Sequence, residues 1–130
     1  MLSVTNLTDY KIDKKRLEKT ARKTFKIANI GKLKEISVVF VSSNKIKEIN
    51  KKYRRKNRPT DVLSFGELNE VFVCPQIVKK QAKLLKIPFN SELTRVVIHG
   101  ILHLAGYDHE KNADAMKMQI IQERIVKLIF

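Results

Sequence analysis

The chain has 130 residues, of which 43% are hydrophobic and 31% are charged, a composition typical of a globular domain with its own hydrophobic core. No apolar run approaches the length that spans a bilayer, and the N-terminus lacks the pattern of a secretory signal. A single cysteine excludes an internal disulfide and is typical of a reducing cytosol. We therefore predict one cytoplasmic domain over residues 1–130, with no membrane partner.

The net charge is the most informative number in the composition. Lysine and arginine total 27 against 13 acidic residues, which gives a formal net charge of +14. A surplus of this size is typical of proteins that bind a polyanion such as nucleic acid. A lysine-rich solvated surface, common in proteins from hot environments, has the same composition, so the total charge leaves both interpretations open.

Two short strands flank the first predicted helix. Alternating apolar residues indicate a strand over Ser3–Leu7, and the β-branched run Ile36–Val41 indicates another. Between them a helix begins after Asp13, a residue type that caps helices, and ends near Asn29.

A second helix follows the second strand directly, with Ser42 or Ser43 as its N-cap. Tyr53 lies on the same face of this helix as Ile46 and Ile49. The spacing predicts that the Tyr53 ring is buried, although an aromatic at this position would also suit base stacking.

The second half of the chain is predicted to contain a hairpin and three helices. Asp61–Phe65 and Val71–Cys74 are the hairpin strands, Pro75 begins a third helix, Ser91 caps a fourth, and the last helix covers roughly Lys111–Ile129. The expected fold class is therefore α+β, with about four strands in a small sheet covered by about five helices.

A basic segment spans the end of the second helix and the loop after it. Six of the eight residues from 51 to 58 are cationic: Lys51, Lys52, Arg54, Arg55, Lys56 and Arg58. Cations near a helix C-terminus are favourable in any protein, but six exceed what capping needs, and arginine forks suit phosphate oxygens. We predict that this segment contacts nucleic acid.

All three histidines lie in the segment HGILHLAGYDH, from His99 to His109. His99 and His103 are one helical turn apart, so their rings lie on one face. Gly106 can end the helix and turn the chain, which would return His109 to the same point. Three nitrogen ligands with an open position describe a catalytic zinc site, which we predict at the end of this helix.

The same spacing occurs in the metzincin peptidases, H-E-x-x-H-x-x-G-x-x-H. The glutamate that acts as general base in those enzymes is replaced by Gly100, so the metal ligands are kept and the peptidase base is missing. Arg95, one turn before His99, is expected to project toward the same cleft. Asp108 and Glu110 adjoin His109 and are candidates for orienting an imidazole, with plain surface acids as the alternative.

Two separated blocks, NKKYRRKNRPTDVLSF from Asn50 to Phe65 and HGILHLAGYDH, together resemble the bacterial YbeY family of single-strand endoribonucleases and ribosomal RNA maturation factors. The resemblance covers essentially the whole chain. It implies a small mixed sheet covered by helices, zinc bound by His99, His103 and His109, and activity associated with Arg54 of the N-x-x-Y-R motif. It further implies cytoplasmic ribosomal RNA processing and ribosome quality control, with ribosomal proteins or assembly GTPases as partners.

The hairpin loop departs from the family pattern. Gly66 stands where a proline usually follows LSF, and Leu68, Asn69 and Glu70 replace a Leu-Gly-Asp turn. These departures concern the conformation of the loop more than the metal site.

The predicted reaction is metal-dependent cleavage of RNA. Zinc, or another divalent transition metal that imidazole accepts, activates water or polarises the scissile phosphate, and Arg54 stabilises the charge that develops on phosphorus. Two other hypotheses remain open: a non-catalytic ribosome-assembly factor with a structural zinc, and a metallohydrolase of peptides.

Overall fold

The computed structural model describes residues 2–30, 35–107 and 112–130. Within these ranges the chain forms four strands and five helices, in agreement with the prediction from sequence. In chain order they are β1 Leu2–Asn6, α1 Lys14–Ile27, β2 Ile36–Phe40, α2 Ser43–Arg54, β3 Val62–Phe65, β4 Glu70–Val73, α3 Pro75–Leu85, α4 Phe89–Leu104 and α5 Asn112–Ile129.

The first two helices begin at the predicted capping residues. The carboxylate of Asp13 accepts a hydrogen bond from the Arg16 backbone N–H, and the Ser42 hydroxyl accepts one from Lys45. Each cap satisfies a backbone donor that has no partner within its helix.

The prediction that Ser91 caps the fourth helix is wrong. Helix α4 begins at Phe89, and Pro88 occupies the N-cap position with an extended backbone. The Pro88 carbonyl accepts the hydrogen bond from the Glu92 backbone N–H, which closes the first turn before Ser91 can act as a cap. The fixed φ of proline favours this earlier start.

The four strands form one mixed sheet in the order β1-β2-β4-β3. Strand β2 runs parallel to both β1 and β4, whereas β3 is antiparallel to β4, so the predicted hairpin is confirmed. Since β3 is the last strand in this order, one of its sides is left without a strand partner among the described residues.

Helix α4 is enclosed by the sheet and by α5. Val97 and Ile101 belong to the core cluster that contains Val38 and Val71 of the sheet. Ile98, on an adjacent flank of the helix, packs in a second cluster with Met118 and Ile125 of α5. A helix held on two sides is a rigid support for the side chains at its open face.

Helix α2 covers the other face of the sheet. Its Ile46 forms a third apolar cluster with Val41 and Cys74, against which Leu63 and Phe72 pack. The predicted burial of Tyr53 is wrong, because its side chain, near the end of α2, is 56% exposed. No helix in the described part of the chain is long and apolar enough to cross a membrane.

Candidate metal centre and RNA-binding cleft

His99 and His103 lie side by side on the open face of α4. Their Nε2 atoms are 3.1 Å apart, the ring centroids are 4.7 Å apart, and the ring planes differ by 71°. Two zinc–nitrogen bonds of about 2.05 Å at a tetrahedral angle would place the two nitrogens about 3.3 Å apart. The two imidazoles present in the described chain therefore fit a shared divalent cation.

The third predicted ligand, His109, lies outside the described residues, as do Asp108 and Glu110. Within residues 2–30, 35–107 and 112–130, no group of three or more potential metal ligands is found. The structure therefore describes two of the three predicted metal ligands, His99 and His103.

Gln122 of α5 is a site residue that the sequence analysis missed. Its Oε1 lies 2.8 Å from Nδ1 of His99. An amide oxygen only accepts hydrogen bonds, so this contact favours the tautomer of His99 that is protonated on Nδ1 and leaves Nε2 as the nitrogen for a metal. No local pattern links residues 99 and 122; only the packing of α5 against α4 brings them together.

The expectation for Arg95 is wrong, because its side chain turns to α5 rather than to the cleft. Its guanidinium forms a two-pronged ion pair with Glu123, with nitrogen–oxygen distances of 2.8 to 3.0 Å. The hydrogen bonds to Glu123 raise the pKa of Arg95, although partial burial opposes the shift. Because Glu123 follows Gln122 in the chain, the same contact fixes α5 beside His99.

At Gly100, α4 packs tightly against the sheet. A Cβ atom at this position would lie 2.5 Å from Cγ1 of Val71 and 3.2 Å from Cγ2 of Val62. The Gly100 carbonyl also accepts a hydrogen bond of 3.0 Å from the Ser64 hydroxyl on β3. The packing of α4 on the hairpin therefore leaves no room here for the glutamate of the metzincin peptidases.

A polar cleft of about 430 Å³ lies beside the two histidines. One wall is formed by α4 and another by the start of β3, and the basic loop after α2 closes the third side. Its described lining residues are Asn50, Arg54, Lys56, Arg58, Thr60, Asp61, Val62, Leu63, Ser64, His99 and His103. Two of the predicted metal ligands and the predicted catalytic arginine thus share one cavity.

Arg54 is held at the sheet edge by two contacts. Its Nη2 donates a hydrogen bond of 2.9 Å to the Ser64 carbonyl, and its guanidinium carbon lies 4.8 Å from the centre of the Phe65 ring. One bond to a carbonyl leaves most of the five N–H donors of the guanidinium for other acceptors. The side chain is therefore oriented while it can still bind an anion.

The other predicted basic residues are divided between two surfaces. Lys56 and Arg58 line the cleft, whereas Lys51 and Lys52 line a separate groove on the other side of the α2 terminus. Arg55 ends α2 in the left-handed conformation with a φ of 58° and is exposed. The basic segment therefore does not present a single face.

Two further residues of the cleft had no assigned role in the sequence analysis. Asn50, which is 2% exposed, donates a hydrogen bond of 2.9 Å to the Arg58 carbonyl and so fixes the basic loop. Asp61 is the carboxylate among the described lining residues, and its Oδ1 accepts a hydrogen bond of 3.3 Å from the Thr60 hydroxyl.

Comparison with known proteins identifies the family. Residues 3–129 match the family model described as "Endoribonuclease YbeY". A protein of that name from Thermotoga maritima is 44% identical over 111 residues, which cover 79% of this chain and 70% of the relative. Another from Persephonella marina is 38% identical over 135 residues, covering 95% of this chain and 88% of the relative. Across the relatives compared, the alignments span 64% to 88% of their length.

The fold is also shared with a solved structure. The solution structure of a Thermotoga maritima protein superposes with a TM-score of 0.70 at 37% sequence identity, covering 99% of this chain and 89% of the other. Together with the family match over nearly the whole chain, this similarity confirms the resemblance predicted from the two sequence blocks. The chain belongs to the YbeY family of endoribonucleases, hydrolases that act on the phosphodiester bonds of RNA.

Proposed function

We propose that this chain is a metal-dependent endoribonuclease that cleaves single-stranded RNA, ribosomal RNA in particular, in the cleft between α4, β3 and the basic loop. The observation that carries the proposal is the presence of His99, His103 and Arg54 in one polar cavity, in a member of an endoribonuclease family.

His99, His103 and His109 would hold the metal, zinc or another divalent transition ion. The 3.1 Å separation of the two described Nε2 atoms supports this assignment, as does the contact between Nδ1 of His99 and Oε1 of Gln122. A bound divalent ion supplies a Lewis acid for a phosphoryl oxygen and lowers the pKa of water. Asp108 and Glu110 remain candidates for orienting His109.

Arg54 is the proposed catalytic cation. Its guanidinium faces the same cavity as the histidines, and its bond to the Ser64 carbonyl restricts its position before RNA arrives. A cation that is already oriented stabilises the charge developing on the phosphoryl group without reorganising during the reaction. Lys56 and Arg58 would bind neighbouring phosphates in the cleft, and Lys51, Lys52 and Arg55 would contact the RNA on either side.

The cellular setting is part of the proposal. Family membership supports a role in ribosomal RNA maturation and ribosome quality control, in the cytoplasm, with ribosomal proteins or assembly GTPases as partners. The buried, free thiol of Cys74, whose pKa is raised by burial, is compatible with a reducing compartment and with a packing role for this residue.

The test compares the cleavage of single-stranded RNA by the wild type, Arg54→Ala and His103→Ala, with Arg22→Ala on the exposed face of α1 as a matched control. Arg54→Ala is expected to lower the rate by about a hundredfold or more, because one preorganised donor is lost. His103→Ala should abolish metal-dependent cleavage, and Arg22→Ala should cleave like the wild type. Equal cleavage by all four proteins would contradict the proposal and point to a contaminating nuclease.

The same preparations separate the two competing functions. A peptide hydrolase would degrade casein, which we do not expect, because the packing at Gly100 leaves no space for the peptidase base. An assembly factor with a structural metal would lose thermal stability on chelation, while Arg54→Ala would still support ribosome assembly.

A further inference from the structure

The exposed Tyr53 lines a second groove, on the opposite side of the α2 terminus from the cleft. This groove has a volume of about 800 Å³ and is mainly apolar. We call it the aromatic groove; its lining residues are Lys45, Glu48, Ile49, Lys51, Lys52, Tyr53, Phe65, Leu68, Glu70 and Phe72.

Three aromatic rings form a continuous row along the groove. The Tyr53 and Phe65 centroids are 5.4 Å apart with ring planes at 70°, and the Phe65 and Phe72 centroids are 5.8 Å apart at 79°. Phe65 and Phe72 are partly buried, whereas Tyr53 and Leu68 are 56% and 67% exposed. The row therefore ends at the Tyr53 ring, which contacts Phe65 and is otherwise largely open to solvent.

Phe65 connects the aromatic groove to the cleft. The Arg54 guanidinium lies over the Phe65 ring, and Tyr53 contacts the same ring from the groove. These two contacts place the Tyr53 ring within about 10 Å of the guanidinium carbon of Arg54. A strand whose phosphate binds at Arg54 can therefore place an adjacent base in the groove.

The charges at the rim suit a nucleic-acid strand. Lys45, Lys51 and Lys52 line the groove together with Glu48 and Glu70, and Lys45 is paired with Glu48 at 3.6 Å. Lys52 lies 5.3 Å from the centre of the Tyr53 ring. Cations beside an exposed aromatic ring are the combination that single-strand binding proteins use to stack bases and hold the backbone.

We propose that the aromatic groove is a subsite for one unpaired nucleobase of the RNA, close to the scissile phosphate, with the Tyr53 ring as its stacking platform. The inference rests on the proposed function, and it adds a base contact to a site otherwise built for phosphates.

The experiment measures the affinity of a short single-stranded RNA for the protein in the His103→Ala background, so that the RNA is not cleaved. Tyr53→Ala is expected to weaken binding about tenfold, since the loss of one stacked base typically costs ~1–3 kcal/mol and 1.4 kcal/mol is a factor of ten. Tyr53→Phe keeps the ring and should bind within about twofold of its parent. Leu84→Ala removes an apolar side chain on α3 that is 84% exposed and should have no effect.

An abasic series identifies the stacked nucleotide. RNAs that lack a base at each position in turn are bound by the parent and by Tyr53→Ala. Removal of the base at one position should weaken binding to the parent about tenfold. The same removal should leave binding to Tyr53→Ala unchanged, because the lost base and the lost ring belong to one contact. Melting temperatures of both proteins separate this loss from unfolding.

Three outcomes would overturn the subsite. The first is that Tyr53→Ala binds RNA as tightly as its parent, which would leave the groove to a protein partner. The second is that every abasic position has the same effect on both proteins. The third is that Tyr53→Phe loses as much affinity as Tyr53→Ala. A wild type that cleaves no RNA with metal present would instead overturn the proposed function.

Discussion

Gly100 shows how a single position serves both the packing and the chemistry of the site. The missing side chain lets α4 lie against Val71 and Val62, and the Ser64 hydroxyl bonds to the carbonyl of the same residue. The absence of a peptidase glutamate, seen from sequence as a chemical difference, thus has a steric cause in the structure.

We expect Gly100→Ala to destabilise the protein. The added methyl group would overlap Val71, and overpacking costs about 1–3 kcal/mol, partly offset by roughly 1 kcal/mol of better helix propensity. Urea denaturation should therefore show a free energy of unfolding lower by up to about 2 kcal/mol.

Gly66→Ala is the matched control, because a Cβ atom at Gly66 meets nothing within 4 Å. This variant should unfold at nearly the same urea concentration as the wild type. If Gly100→Ala were as stable as Gly66→Ala, the close approach of α4 to the hairpin would be wrong.

Among the helices, α5 supports the proposed metal site from outside. Gln122 orients His99, and the neighbouring Glu123 is fixed to Arg95, so two successive residues of α5 bind two residues of α4 one turn apart. Ligands supported in this way lose less freedom when a metal binds.

Gln122→Leu is therefore expected to lower metal affinity about 10- to 100-fold, the range found when a hydrogen-bond partner of a metal ligand is removed. Gln122→Glu keeps an acceptor for the Nδ1 proton and should retain metal. Competition with a chromophoric chelator measures both values.

The control for this prediction is Gln119→Leu, which makes the same change on the exposed side of α5. It should bind metal like the wild type. Equal affinities for the Gln119 and Gln122 variants would show that the contact with His99 does not contribute to the metal site.

Glu92, in the first turn of α4, gives a prediction about pH. Burial raises the pKa of its carboxyl, although the nearby Arg95 opposes the shift. A carboxyl with a raised pKa binds more protons in the folded state than in the unfolded state, so it lowers stability as the pH rises above the ordinary value of about 4.3.

Glu92→Gln should therefore be more stable than the wild type near neutral pH, and the difference should shrink as the pH falls toward 4. Thermal unfolding at several pH values measures this difference. A variant that is less stable than the wild type at pH 7 would show that the contact with Arg95 outweighs the cost of burial.

Element-level features show what could be read from the sequence and what could not. Caps and hairpin strands follow local rules, which is why the cap at Asp13, the cap at Ser42 or Ser43 and the β3–β4 hairpin were predicted correctly. Tyr53 has the helical spacing of the buried residues of α2. It lies at the end of the helix, however, beyond the apolar cluster that contains Ile46, and is therefore exposed. Gln122 and Arg95 depend on packing between helices distant in sequence, for which a single sequence carries no signal.

Across the whole molecule, part of the surplus of positive charge lines the cleft and the aromatic groove. Lys56 and Arg58 line the cleft, while Lys51 and Lys52 line the aromatic groove. The basic segment could be predicted from sequence, but its division between the two cavities could not. The left-handed backbone of Arg55 changes the direction of the chain between Lys52 and Lys56.

The salt dependence of RNA binding tests whether this charge meets phosphates. Each neutralised phosphate on a single strand contributes about 0.7 to the slope of log affinity against log salt. A double variant, Lys56→Ala with Arg58→Ala, should lower the slope by up to about 1.4 relative to the wild type. The same slope in both proteins would mean that the two residues serve solubility rather than RNA binding.

Elemental analysis of the native protein tests whether His99, His103 and His109 share one metal ion. We expect one divalent transition-metal ion per chain in the wild type, and little or none in His103→Ala or His109→Ala when each remains folded. Wild-type protein without metal after growth with ample zinc, or variants that retain a full equivalent, would show that the three histidines do not hold a common ion.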